Sequence, residues 1–325
     1  MIKSLIVIVV AFAVAAVSGI FMIPLLHKLK FGQEIREEGP KWHKSKTGTP
    51  TMGGFIFMIA AVVALAAGVF IFGGVNDSKN LKGVFALLLA SLGFGAIGFI
   101  DDYIKVILKR NLGLKAGQKF ALQLLVSILF SVWLVGDGII DTQLRIPFTD
   151  IALNMGYYLY IPLIVLVMLA AANSVNLTDG IDGLATCVTL VVSIFYLITS
   201  SIEGVTPVML LSASVIGGLL GFLIYNHFPA KVFMGDTGSL FLGGAVAAMA
   251  IYMKNPLALI IVGLVYVAES ASVILQVVWF KKTGKRIFKM SPIHHHFELC
   301  GWSEKKIVAV FSFVTAILCV IGFFA

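Results

Sequence analysis

Four side chains recur at every third position in Asn173-Ser-Val-Asn176-Leu-Thr-Asp179-Gly180-Ile-Asp182-Gly183-Leu184, a polar run between two long apolar stretches. Polar groups beside a membrane-length apolar run are costly to place, so the first reading of this run is a site. Asn and Asp present oxygens, which suit a hard cation such as Mg²⁺ better than zinc. Gly180 and Gly183 let a ligand come close to the backbone. At three-residue spacing the side chains share one edge of a 3₁₀ turn, or drift by about 60° per step around an α-helix. An Asx-rich cap opening the next helix is the competing reading, although a cap uses one such residue rather than four.

Other segments carry chemistry of the same kind. Asp101-Asp102 is an adjacent acid pair, and neighbouring carboxylates repel unless a cation or proton sits between them. The bland alternative is a pair of interfacial acids answering Lys105 and Arg110. Asp236 lies between Gly235 and Gly238 with Thr237 and Ser239 alongside, which reads as a phosphate cradle before a helix or as a simple helix cap. His294, His295 and His296 cannot all face one metal from regular structure; phosphate donors or proton carriers suit them better than a zinc site. The segment Lys44-Ser-Lys46-Thr-Gly-Thr-Pro-Thr51-Met-Gly-Gly54 could grip a phosphorylated ligand, yet it lacks the Gly-Lys-Ser/Thr ending of a Walker loop. Glu269 and Gln276, two turns apart in an apolar stretch, read as a pair turned inward and structural.

The elements that must hold these residues follow from composition. The chain is 59% hydrophobic and 12% charged over 325 residues, with a mean hydropathy of +1.02. Runs of ~20 apolar residues match the length of a bilayer-crossing helix. Ten are expected, at about 2–26, 52–73, 81–100, 118–136, 155–172, 183–200, 206–225, 237–253, 256–280 and 306–324. They are continuous rather than alternating, so helices rather than a barrel satisfy the backbone in lipid. The expectation is therefore an all-α integral membrane protein, one polytopic domain over 1–325, with no separate soluble unit. The first run is too long and too weakly basic at its front for a cleaved signal, and is kept as a span.

Of the 24 Lys and Arg, all except Lys3, Lys79, Lys82, Arg145 and Lys254 fall in odd-numbered loops. The positive-inside rule puts those loops in the cytoplasm and both termini outside. The acids, the histidines and the lysine-glycine segment all lie on that same cytoplasmic face. The net charge of +8 reflects this topology, with no basic soluble module to bind nucleic acid. Three cysteines supply neither a disulfide nor a zinc pattern. No internal repeat of a transporter type stands out. The even loops are poor in chemistry; 137–154 reads as a small external hairpin. Carboxylates with basic partners at a lipid boundary describe Mg²⁺-assisted phosphoryl transfer between a soluble and a lipid phosphate.

The chain resembles the polyprenyl-phosphate N-acetylhexosamine 1-phosphate transferase superfamily from end to end. Asp101-Asp102 and Asn173-x-x-Asn176-x-x-Asp179-Gly-x-Asp182-Gly carry that likeness. Lys46-Thr-Gly-Thr-Pro-Thr51-Met-Gly-Gly54, Phe233-Met-Gly-Asp236-Thr-Gly-Ser-Leu and Ser291-Pro-Ile-His-His-His-Phe-Glu298 are similar to its muramoyl-pentapeptide branch. The resemblance implies Mg²⁺-dependent transfer of phospho-MurNAc-pentapeptide from UDP-MurNAc-pentapeptide to undecaprenyl phosphate, giving UMP and lipid I in a bacterial cytoplasmic membrane. It implies Asp236 as the main Mg²⁺ ligand, with Asp101 and Asp102 beside it. It assigns Lys46, Thr51, Gly180, Asp182, Asn226, Phe233 and Gln276 to the nucleoside pocket, with Phe233 suited to stack on uracil. On the sugar-phosphate side it places Asn176, Asp179 and His294 to His296, with Asn173 ordering the same wall. It also implies a homodimer and a groove for the polyprenyl chain beside a bent ninth span. The rival readings are transfer of GlcNAc-1-phosphate, or transport of a lipid-linked sugar.

Overall fold

The computed structural model describes residues 2–29, 46, 48–73, 77–106 and 113–325. Lys30, Arg36, Lys41, Lys44, Lys109 and Arg110, which contribute to the topological charge bias, lie outside the described residues. The chain forms α1 (Ile2–Lys28), α2 (Gly54–Ile71), α3 (Ser78–Val106), α4 (Ala116–Gly136), a hairpin of β1 (Gln143–Arg145) and β2 (Ala152–Asn154), then α5 (Gly156–Thr178), α6 (Leu184–Glu203), α7 (Thr206–Asn226) and α8 (Gly235–Tyr252). It closes with α9 (Ala258–Val262), α10 (Leu264–Thr283), α11 (Ile293–Leu299) and α12 (Glu304–Gly322). Among the described residues nine helices are long and apolar enough to cross a membrane: α1 to α7, α10 and α12. The architecture is that of an all-α multi-pass membrane protein.

α8 is the axis of the bundle. Every residue from Thr237 to Tyr252 is buried, enclosed by α3, α5 and α2 with α6 and α7 behind. Small residues make that enclosure possible, because van der Waals contact between close backbones is what joins helices in lipid. A Cβ on Gly243 would stand 2.5 Å from the Ala172 Cα of α5, and one on Gly244 3.0 Å from Phe94 of α3. Being wrapped on all sides, α8 tolerates Asp, Thr and Ser at its start, and among the described residues it is the one helix of such length that is not apolar enough to count as a span.

The ninth expected span, 256–280, is two helices. Gly263 leaves helical geometry (φ −100°, ψ 20°) and separates α9 from α10. α10 then turns only one stripe inward, Val265, Tyr266, Glu269, Ser272 and Gln276, while Ile274, Leu275, Val278, Trp279 and Phe280 stay exposed. The 137–154 loop forms the expected hairpin, with Leu144 opposite Leu153. At the other end of the bundle meet the ends of α3, α5 and α7 and the starts of α2, α8 and α12.

Candidate active site

Consecutive residues on a helix point about 100° apart, and this separates the two acids that end α3. Asp102 faces α8. Its Oδ1 accepts the Asp236 N–H (3.2 Å), and its Oδ2 accepts the N–H (2.8 Å) and Oγ1–H (2.7 Å) of Thr237. These are first-turn amides with no partner inside the helix, so Asp102 caps α8 from another helix. The approach depends on Gly235, which has φ +70° and whose Cβ would lie 2.6 Å from Asp102 Oδ2 and 2.7 Å from Thr51 Oγ1. The reading of Asp236 as a cap gives way here: it lies inside the first turn, and Asp102 does the capping.

Asp101 faces the start of α4. Its Oδ1 accepts the Leu114 N–H at 2.7 Å, and its Oδ2 lies 2.6 Å from Lys105 Nζ and 3.6 Å from Lys119 Nζ. The same two ammonium groups sit 2.8 and 2.9 Å from Asp236 Oδ2. Asn176 donates to the remaining Asp236 oxygen (2.8 Å) and to Ser239 Oγ (2.8 Å). Two carboxylates and two lysines thus form a neutral square at the mouth of the bundle. Asp101 and Asp236 fit a hard cation: Mg²⁺ takes one or two carboxylates and completes its shell with substrate phosphates and water. Asp102 has both oxygens occupied by α8 and stands behind the pair rather than within it. Among the described residues no three His, Cys, Asp or Glu side chains gather as a metal cage.

The polar run divides as an α-helix divides it. α5 continues through Thr178, so the 3₁₀ edge does not form and the side chains fan out. Asn173 turns to α4, where its Nδ2 donates to Gln123 Oε1 at 2.9 Å; it joins two helices away from the acids. Asn176 reaches Asp236. Asp179, half-buried, ends the helix, and its carboxyl is raised well above the usual carboxylate range by burial and by the nearby Asp236, Asp102 and Asp182. No Asx cap opens α6: its N-cap residue is Gly183, at φ +78°, without a side-chain cap.

Asp182 belongs to a second cluster. Its Oδ1 pairs with Lys46 Nζ at 2.7 Å, and its Oδ2 accepts the Ala230 N–H at 2.9 Å. Asn226 accepts from Thr186 Oγ1 (2.7 Å) and donates to the Val232 carbonyl (3.0 Å), closing the turn after α7. The backbone of Phe233 then zips to the segment around Thr51: its N–H donates to Pro50 O, and its carbonyl accepts the Gly53 N–H, both at 2.8 Å.

The histidines have three separate partners, as expected from their adjacency. His294 is fully buried; its Nδ1 lies 3.0 Å from Glu269 Oε2, while its Nε2 faces the space that a Cβ on Gly180 would fill. His295 Nδ1 is 2.6 Å from Glu298 Oε2. His296 Nδ1 accepts the Lys289 N–H at 3.1 Å. Gln276 is spent on backbone: its Oε1 accepts the N–H of Ile287 and of Phe288, and its Nε2 donates to Phe288 O, all at 3.0 Å. The amide that the resemblance gives to a nucleoside pocket therefore pins the segment after α10. Glu269 is its inward companion, as the two-turn spacing suggests. Sequence reading missed Lys105, Lys119 and Glu304 as site residues. The i,i+4 step from Asp101 to Lys105 was the signal available for the first; nothing local marked the others.

The fold and this site define a class: helical membrane proteins with a carboxylate–lysine centre at one mouth of the bundle. The family model for glycosyl transferase family 4 matches residues 84–254, which spans α3 to α8 and hence the whole square. The chain is 52% identical over 314 residues to the phospho-N-acetylmuramoyl-pentapeptide-transferase of Clostridium botulinum (strain Eklund 17B / Type B), covering 97% of this chain and 94% of that one. It is 50% identical over 321 residues to the protein of that name from Clostridium perfringens (strain 13 / Type A), covering 99% and 98%. The chain belongs to glycosyl transferase family 4, on the branch of the phospho-N-acetylmuramoyl-pentapeptide-transferases.

Proposed function

We propose that the chain transfers phospho-MurNAc-pentapeptide from UDP-MurNAc-pentapeptide to undecaprenyl phosphate, releasing UMP and forming lipid I for peptidoglycan synthesis. The observation that carries this reading is the square of Asp101, Asp236, Lys105 and Lys119. It offers both the oxygens that hold a cation on a pyrophosphate and the ammonium groups that neutralise transferring phosphates. Relatives bearing that enzymatic name, 50–52% identical over 97–99% of the chain, support it.

In the reaction an oxygen of the lipid phosphate forms a bond to the β-phosphorus of the donor. The bridging bond between the α- and β-phosphates breaks, and UMP leaves with the electron pair. Mg²⁺ held by Asp101 and Asp236 would supply neutralisation of the pyrophosphate charge. Lys105 and Lys119 would release their carboxylates and meet phosphate oxygens instead. Asp102 holds the first turn of α8, and with it the position of Asp236. Direct attack by the lipid phosphate, rather than a phospho-aspartate route, is favoured because a phosphate monoester with a second pKa of about 6 needs no strong base near neutral pH.

In this reading α8 also crosses the bilayer and brings the spans to ten, with both termini outside the bacterial cytoplasmic membrane and the square at its cytoplasmic face. The exposed apolar side of α10 below the Gly263 break would accept the polyprenyl chain, and the protein would act as a homodimer. The test is UMP release by the solubilised chain from the muramyl nucleotide with lipid phosphate and Mg²⁺. Dependence on all three is expected; equal release from UDP-GlcNAc, or none from the muramyl donor, refutes the assignment.

A further inference from the structure

We infer that Glu304 is a positioning residue of the donor site, setting the place of the Lys46 ammonium and of the 179–183 turn against which the nucleoside end of the UDP-sugar binds. This rests on the transferase reading above. Glu304 opens α12, directly after Ser303, whose Oγ accepts the Lys306 N–H. An acid in the first turn suits the helix dipole, but its side chain is turned inward, 7% exposed, and does more than that. One oxygen, Oε2, accepts from Lys46 Nζ at 2.7 Å and from the Asp182 N–H at 3.1 Å. Lys46 Nζ simultaneously meets Asp182 Oδ1, and Asp182 Oδ2 holds the Ala230 N–H. Glu304 thus ties the end of the first loop to the turn after α5, and Asp182 carries the tie on to the turn after α7. Phe228 closes the group, its ring 5.6 Å from the ammonium groups of both Lys46 and Lys305.

Charge indicates which part of the donor this cluster takes. Lys46 is matched by two carboxylates, so the trio is net negative and rich in acceptors. It would repel a pyrophosphate and suits N–H and O–H donors, such as the uracil imide or ribose hydroxyls. The phosphates then fall to Lys105 and Lys119, whose square is neutral and opens on the same mouth.

The experiment is steady-state UMP release by full-length protein and its E304Q, E304D and K46M variants, with donor and lipid phosphate varied in turn and melting temperatures recorded. E304Q is expected to raise the donor KM about tenfold, the scale of one lost charge-assisted hydrogen bond. The inhibition constant of UMP should rise in parallel, kcat should stay within about threefold, and the lipid-phosphate KM should not move. E304D, which keeps the charge, should recover most of the donor KM. If E304Q does not fold, K46M reports the same contact from the other side and should raise the donor KM alike. An unchanged donor KM in a folded variant overturns the inference, as does a fall in kcat and melting temperature with KM fixed. Wild-type protein that releases no UMP overturns the transferase reading itself, a result distinct from an active enzyme indifferent to Glu304.

Discussion

Three aspartates with one chemistry in sequence have three tasks in the structure, and their substitutions should separate. Asp102→Asn exchanges one acceptor for an amide facing the N–H groups of Asp236 and Thr237. It should cost about 2 kcal/mol of stability as well as activity. Asp236→Asn should abolish UMP release with a much smaller stability change, because it leaves the α8 cap intact; melting curves and UMP assays on both variants distinguish the two, and equal stability losses would refute the division. Asp179 gives a pH test. Its folded value lies above the ordinary carboxylate value of about 3.9, so the native chain retains a proton that the unfolded chain releases. Stability from this group is present at and below that ordinary value and is lost as pH rises through the folded one. Asp179→Asn should therefore melt at increasingly higher temperature than wild type as pH rises over that window, and parallel pH dependences would contradict it. That these acids formed a site was legible from their types. Their roles were not, because a helix rotates each successive residue toward a different neighbour.

At the level of elements, the apolar runs announced the helices, since length and continuity alone satisfy the backbone in lipid. Two features escaped that logic. α8 is shielded by its neighbours and needs little hydropathy of its own, and Gly263 breaks a run whose composition reads as continuous. Close approach of α3 to α8 depends on Gly98, where a Cβ would collide with the Asp236 carbonyl and the Thr237 amide. Gly98→Ala should push the two helices apart, costing about 2–3 kcal/mol and most of the activity by displacing Asp102 from its cap. Thermal unfolding and UMP release would check this, and full activity in the variant would mean that the mouth tolerates the shift. Asn173 illustrates the same geometry: its spacing suited the site, yet the turn of α5 aims it at Gln123.

Across the whole molecule, chemistry collects at one end and the hairpin end holds supporting ion pairs. Arg145 meets Glu203 at 3.0 Å with both side chains substantially exposed, and Lys254 meets Asp141 at 2.6 Å. A cavity of about 470 Å³ opens there beside Lys79, Asp141, Tyr157, Tyr252 and Lys254, at the opposite end of α8 from Asp236. Arg145→Ala should cost less than about 1 kcal/mol, since water screens exposed pairs, and should leave UMP release within about twofold; a larger drop in turnover would tie the two ends together. The sequence by itself determined the membrane class, most of the spans, the loops that carry the site and the resemblance to a transferase superfamily. Those properties depend on composition and on order along the chain. Only the tertiary structure decided that Lys105 and Lys119 join Asp101 and Asp236, that Asp102 caps α8, that Gln276 pins a loop and that Glu304 reaches Lys46. Apart from the i,i+4 pair of Asp101 and Lys105, each of these contacts joins separate segments of the chain, and such partners are fixed by how helices pack rather than by neighbours in sequence.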